Sequence, residues 1–193
     1  MTDNTGWTPS PEENLLGLTD KDRINEYEAR GIAKAEYSIF SLDLDEPIST
    51  SLILEWHRTA FGELYDWAGK WRTTTVMVGQ LVPPQPSQVP QLMYQFIDNL
   101  NFKSANVKTR EDHLDCLVYA HYEFIRMHPF NNGNGRTGRI LMNLVATKLG
   151  YQPLELYHKA GKDRTAYIQA TREADKGNFG MLRLLIDNEL AIL

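Results

Sequence analysis

The 193-residue chain has one cysteine, no long apolar run and no strong excess of either charge. A lone Cys116 forms no internal disulfide, so an oxidising compartment is not required. No segment approaches the ~20 consecutive apolar residues of a membrane-spanning helix. The start, Met1-Thr2-Asp3-Asn4-Thr5-Gly6, lacks the basic-then-apolar pattern of a secretory leader. The expectation is a cytoplasmic protein with no membrane partner. Twenty basic against 25 acidic side chains leave a net charge of −5, which gives no electrostatic reason to expect nucleic acid as a partner. Internal repeats and low-complexity runs are absent. So is the Gly-x-x-x-x-Gly-Lys-Ser/Thr loop of P-loop NTPases. Five histidines are present, but none falls in the His-Glu-x-x-His arrangement of a zinc hydrolase.

What is there is an ordinary globular composition, 42% hydrophobic and 23% charged, enough to bury one core in one domain. Residues 1–18 are polar and turn-rich and read as an N-terminal arm; residues 19–193 read as a single domain. Helical periodicity dominates that domain. A helix is predicted from Thr19 as cap, another from about Ile48 to Tyr65, and a third from Ser87 carrying Val89, Leu92, Met93, Phe96, Ile97 and Leu100 on one face. Thr109 with Asp112 behind it caps a fourth, bearing Leu114, Leu117, Val118, His121, Ile125 and His128. Ile140, Leu141, Leu144, Val145 and Leu149 mark a fifth, stopped by Gly150. Two more follow at roughly 163–175 and 179–190. One segment breaks the pattern: Thr73 to Val78 is rich in β-branched residues, and Gly79-Gln80 suits a two-residue turn before Leu81-Val82. The predicted class is mainly α with a small β-hairpin over about 73–82. Trp56, Tyr65, Trp67 and Trp71 are expected to form core beneath that hairpin.

Between the fourth and fifth helices lies His128-Pro129-Phe130-Asn131-Asn132-Gly133-Asn134-Gly135-Arg136-Thr137-Gly138-Arg139. Pro129 stops the preceding helix and leaves His128 at its end. Gly133 and Gly135 allow main-chain amides to approach a ligand. The next helix then opens with unpaired N–H groups and a partial positive charge, a ready anion site. Arg136 and Arg139, three residues apart on one helix face, add forked donors that match phosphate oxygens. Taken singly, Gly-Asn-Gly is a turn, and a histidine at a helix end is a cap or core group. The conjunction of a base, an amide cradle and two guanidinium groups is what transfer at a polyphosphate requires.

This segment resembles the signature of the Fic family, His-x-Phe-x-Asp/Glu-Gly-Asn-Gly-Arg-x-x-Arg. Trp67-Ala68-Gly69 with Trp71-Arg72-Thr73 is similar to the lead-in to that family's flap, and Val78 to Leu81 followed by Val82-Pro83-Pro84 to the flap itself. His121, Tyr167 and Asp175-Lys176-Gly177 also fall where members carry similar residues. The layout and size resemble the subgroup called mobile mystery protein B. The resemblance implies a Fic-type helical bundle that transfers AMP from ATP to a Ser, Thr or Tyr hydroxyl of a target protein, with Mg²⁺ bridging the phosphates. In that reading His128 is the general base. Gly133, Asn134 and Gly135 hold phosphate oxygens, Arg136 neutralises developing charge, and Arg139 binds the terminal phosphate. Val78, Gly79, Gln80 and Leu81 clamp the target backbone. Tyr167 and Asp175 line the adenosine pocket, although core packing explains Tyr167 equally well. His121 is read as a buried, hydrogen-bonded support of the loop.

Two departures stand out. Asn132 occupies the acidic position that would ligate Mg²⁺; it offers a carbonyl oxygen but no charge, and one charge beside a cation is worth a few kcal/mol at an effective dielectric of ~20. That substitution raises the alternative of a variant transferring phosphate or another nucleotide moiety. A further alternative is a low-activity nucleotide-binding regulator or toxin–antitoxin component. Secondly, no segment fits the inhibitory pattern Ser/Thr-x-x-x-Glu-Gly/Asn. Glu13-Asn14 has its ending, but Pro9 stands at the hydroxyl position. An inhibitory antitoxin-like partner is the corresponding expectation.

Overall fold

A computed structural model describes residues 14–79, 81–156 and 162–193. Most of the expected arm, including Glu13, and Gln80 of the expected flap lie outside the described residues. Seven α-helices carry the rest: α1 (Lys21–Tyr37), α2 (Thr50–Phe61), α3 (Val89–Asn106), α4 (Arg110–Met127), α5 (Asn134–Lys148), α6 (Lys162–Ala174) and α7 (Gly180–Glu189).

Local capping explains where these helices begin. At α4 the Thr109 hydroxyl accepts from Asp112 N–H at 3.2 Å while the Asp112 carboxylate accepts from Thr109 N–H at 2.9 Å, a reciprocal cap that satisfies two end amides. α1 starts one residue later than predicted. Asp20, not Thr19, is its cap, accepting from Asp22 N–H at 2.8 Å and Arg23 N–H at 3.5 Å; a carboxylate there also meets the positive end of the helix dipole. α2 is shorter than expected, capped by Ser49 and closed at Gly62.

α5 is the central helix. Every residue from Ile140 to Ala146 is buried, as expected of a helix enclosed on all sides. α4 lies against α3, α5 and α7, and α1 lies against α2. The α1–α2 crossing is close enough that a methyl group on Gly31 would fall 2.2 Å from the Ala60 carbonyl oxygen. The end of the arm rests on the domain, since Leu15 N–H donates to the Leu64 carbonyl at 2.7 Å.

The predicted hairpin over 73–82 is reduced to one antiparallel bridge. Val78 and Leu81 exchange N–H···O bonds of 3.1 and 2.9 Å around Gly79, whose φ is +61°. No strand extends from this pair among the described residues. The arms are instead held from behind by the buried Arg72, whose guanidinium donates to the carbonyls of Thr74 at 3.0 Å and Pro84 at 2.6 Å. Pro83 and Pro84 have no N–H to give a longer ladder.

Candidate active site

α4 ends by placing His128 in the left-handed region, φ 46° and ψ 60°, the one non-glycine described residue with positive φ. For a side chain with a Cβ this costs about 1–2 kcal/mol, and the surroundings enforce it. Arg72 Nε donates to the His128 carbonyl at 2.7 Å, and Arg72 N–H to the Pro129 carbonyl at 2.9 Å. The imidazole Nδ1 lies 3.3 Å from the Ile125 carbonyl. A carbonyl only accepts, so Nδ1 carries the proton and Nε2 keeps its lone pair. Burial, reinforced by the Arg72 charge and opposed by the Ile125 carbonyl, brings His128 down from 6.5 to about 4. At neutral pH the ring is therefore an uncharged acceptor.

The loop that follows is tied down at each step. Asn134 is buried, and its carboxamide accepts from Phe130 N–H at 2.8 Å and donates to the Phe130 carbonyl at 2.8 Å. Thr137 Oγ1 donates to the Gly133 carbonyl at 3.1 Å. The fully buried His57 of α2 accepts from Gly69 N–H at Nδ1, 2.9 Å, so its Nε2–H is the donor to the Asn132 carbonyl, 3.0 Å away. Its ring stacks on Phe130 at 3.6 Å between centroids, and Trp71 stacks on the same phenylalanine at 5.1 Å. Gly133, at φ +75°, is the N-cap of α5. A Cβ there would stand 2.5 Å from the Phe61 ring, so glycine is demanded by both conformation and space.

The two arginines differ. Arg136 Nη1 donates to Glu28 of α1 at 2.5 Å, and its guanidinium lies over the Phe61 ring at 4.5 Å. Glu28 is buried and also accepts from Tyr65 Oη at 2.9 Å. Arg136 Nη2 is buried without a hydrogen-bond partner among the described residues. Arg139 lies over the first turn of α5, its Nη1 3.6 Å from where a Cβ on Gly135 would be, and its charge bears on Glu36 of α1 and His121 of α4.

Tyr167 and Asp175 are each engaged by one of two adjacent residues of α4, His121 and Tyr122. Tyr167 is buried with its hydroxyl 2.8 Å from His121 Nε2, so that hydroxyl is engaged inside the domain. Asp175 is exposed and accepts from Tyr122 Oη at 3.3 Å. Val78 and Leu81 use their own N–H and C=O groups on each other. His57 and Glu28 were not marked by any local pattern, and Arg72 only as part of the lead-in to the flap; together they hold the loop and Arg136. The partners of Arg72, His57 and Glu28 lie 56, 75 and 108 residues away.

The donor set does not fit a divalent cation held by protein ligands. The motif has no carboxylate, and the expected ligand Asn132 has its Oδ1 turned onto Gly133 N–H at 2.7 Å. Among the described residues no group of three or more His, Cys, Asp or Glu is placed to hold an ion, and Mg²⁺ usually takes at least one carboxylate.

Burial also depresses His57 from 6.5 to about 4 and His121 from 6.5 to about 3. Both are held neutral when folded, so the unfolded chain binds more protons below pH 6.5. Their stabilisation is complete above that pH and is lost as it falls, by roughly 3 kcal/mol for His57 over its whole shift. The urea midpoint is expected to drop between pH 6.5 and 5, before most carboxylates titrate. A constant midpoint would contradict the neutral assignment.

The site joins a helix start with unpaired amides and a neutral imidazole, on a mainly helical scaffold. The family model for the Fic/DOC family matches residues 47–146, just over half of the chain, and the chain belongs to that family. It is 35% identical over 173 residues to a protein adenylyltransferase Fic of Drosophila grimshawi, covering 89% of this chain and 35% of the relative. The solved structure of Fic-1 from Caenorhabditis elegans superposes with a TM-score of 0.75 at 28% identity, covering 89% of this chain and 50% of that one. The BepC protein of Bartonella tribocorum, a VirB-translocated effector solved with bound AMPPNP, shares the fold with a TM-score of 0.72 at 18% identity, covering 97% and 96% of the two chains. The chain spans about a fifth to two fifths of the length of such curated relatives. No helix among the described residues is long and apolar enough to cross a membrane.

Proposed function

We propose that the chain transfers AMP from ATP to a Ser, Thr or Tyr hydroxyl of a target protein, with His128 as general base. The observation that carries this reading is the pairing of a neutral imidazole, Nε2 free to accept, with the start of α5 across five residues, Pro129 to Gly133, pinned by His57, Arg72 and Asn134. The names of the curated relatives support the same activity. In the forward step His128 Nε2 takes the proton of the target hydroxyl as its oxygen attacks the α-phosphorus. The bond to the β-phosphate oxygen breaks, and pyrophosphate leaves. The amides at Asn134 and Gly135 and the guanidinium of Arg139 meet the phosphate charge. Arg136 contributes its unpaired Nη2 and holds the helix start through Glu28. Because Val78 and Leu81 are paired to each other, the target backbone would meet the outward edge beside them, at the exposed Met77 and Val82.

The test is incubation of the chain with lysate and ATP labelled on the α or the γ phosphate. Protein-bound label from the α position alone is expected. Label from the γ position would instead indicate phosphate transfer, the reading that Asn132 favours.

Arg72 ties base and flap together, and its charge helps to keep His128 neutral. Arg72→Gln is expected to move the acid limb of the kcat/KM–pH profile modestly upward from about 4, because burial, the larger cause, remains, while Arg72→Lys keeps the limb low but raises KM for the target. An unshifted limb in Arg72→Gln would contradict the coupling.

A further inference from the structure

The segment His128–Arg139 carries three guanidinium or amide-rich features and no carboxylate, which sets an unusual balance of charge around the phosphates. At its centre Asn132 is fixed at both ends. Its main-chain carbonyl accepts from His57 Nε2 at 3.0 Å, and its side-chain Oδ1 accepts from Gly133 N–H at 2.7 Å. With the oxygen turned into the loop, the side-chain NH₂ is the end left for a ligand, and it donates only. The same loop and helix start carry Arg136, whose Nη2 is buried without a partner among the described residues, and Arg139, whose Nη1 lies over Gly135 of the first turn of α5.

We infer that this site accepts the polyphosphate without a protein-ligated divalent cation, the Asn132 NH₂ donating to a phosphate oxygen where a cation would otherwise bridge. This rests on the nucleotide reading above. The physical reason is a change of sign. A carboxylate at this point repels phosphate oxygens at close range and needs a cation between the two anions. A neutral amide removes the repulsion and adds a donor, so the bridge loses its purpose. Two carboxylates of α1 approach the motif: Glu28 accepts from Arg136 and Tyr65, and Glu36 feels the charge of Arg139.

The experiment titrates AMPPNP into the full chain by calorimetry, once with EDTA and once with excess MgCl₂ at matched ionic strength. The native chain should bind with dissociation constants within about threefold of each other. Asn132→Asp should bind at least about tenfold more weakly in EDTA than in MgCl₂, the factor that ~1.4 kcal/mol supplies. Native binding tightened tenfold by Mg²⁺ would overturn the inference and leave the nucleotide reading standing. No binding in either buffer would overturn both. The native measurement decides the matter even where the aspartate variant does not fold.

Discussion

His128→Asn is expected to lower AMP transfer by about 10²–10⁴-fold, the usual contribution of a positioned base, while AMPPNP binding changes little. Asparagine is the informative replacement because it tolerates the left-handed conformation that His128 adopts at φ 46°. His128→Ala removes the same base but adds backbone strain, so it should lose stability as well as activity. The comparison separates chemistry from folding. Nucleotide binding persists because the α5 amides and Arg139 are untouched. Transfer from α-labelled ATP within tenfold of the native rate in His128→Asn would mean that another group accepts the proton.

The second large effect lies outside the segment that the family model covers. Glu28 sits on α1, which precedes residue 47, where that match begins. Its carboxylate is 1% exposed and pairs with an Arg136 side chain that is 12% exposed. Glu28→Ala leaves a buried guanidinium without its counter-charge, a loss of about 3–5 kcal/mol. For a domain of this size that corresponds to a fall in Tm of roughly 6–20 °C, measurable by thermal denaturation. Replacing both partners with apolar residues, Glu28→Leu with Arg136→Met, should recover much of that stability. The double variant should still transfer poorly, because the guanidinium proposed to meet the phosphate charge is gone. A Tm unchanged in Glu28→Ala would show the ion pair to be dispensable.

These positions also show what the sequence could and could not convey. Thr109 and Asp112 announce the start of α4 because a reciprocal cap is a local pattern, and the twelve residues from His128 carry their chemistry in consecutive order. Thr19 and Asp20 are both good caps, and only the reach of the Asp20 carboxylate to two amides decides between them. The β-branched run at 73–78 argued for strands, but Arg72 takes the carbonyls of Thr74 and Pro84, a partner that no alternation of residue types reveals. His57 and Glu28 looked like ordinary helix residues. Their roles follow from packing across the domain, where Gly31 and Gly133 let backbone and rings approach closely enough to bring distant side chains together. Tyr167 suited either a ligand contact or core packing by its position, and its hydroxyl bonds to the buried His121.

The most direct measurement is a crystal structure of the chain with AMPPNP. The α-phosphate should lie against the first amides of α5, with His128 Nε2 aimed at the side from which a hydroxyl would attack in line. A nucleotide seated away from that helix start, or an Nε2 turned from the α-phosphorus, would contradict it.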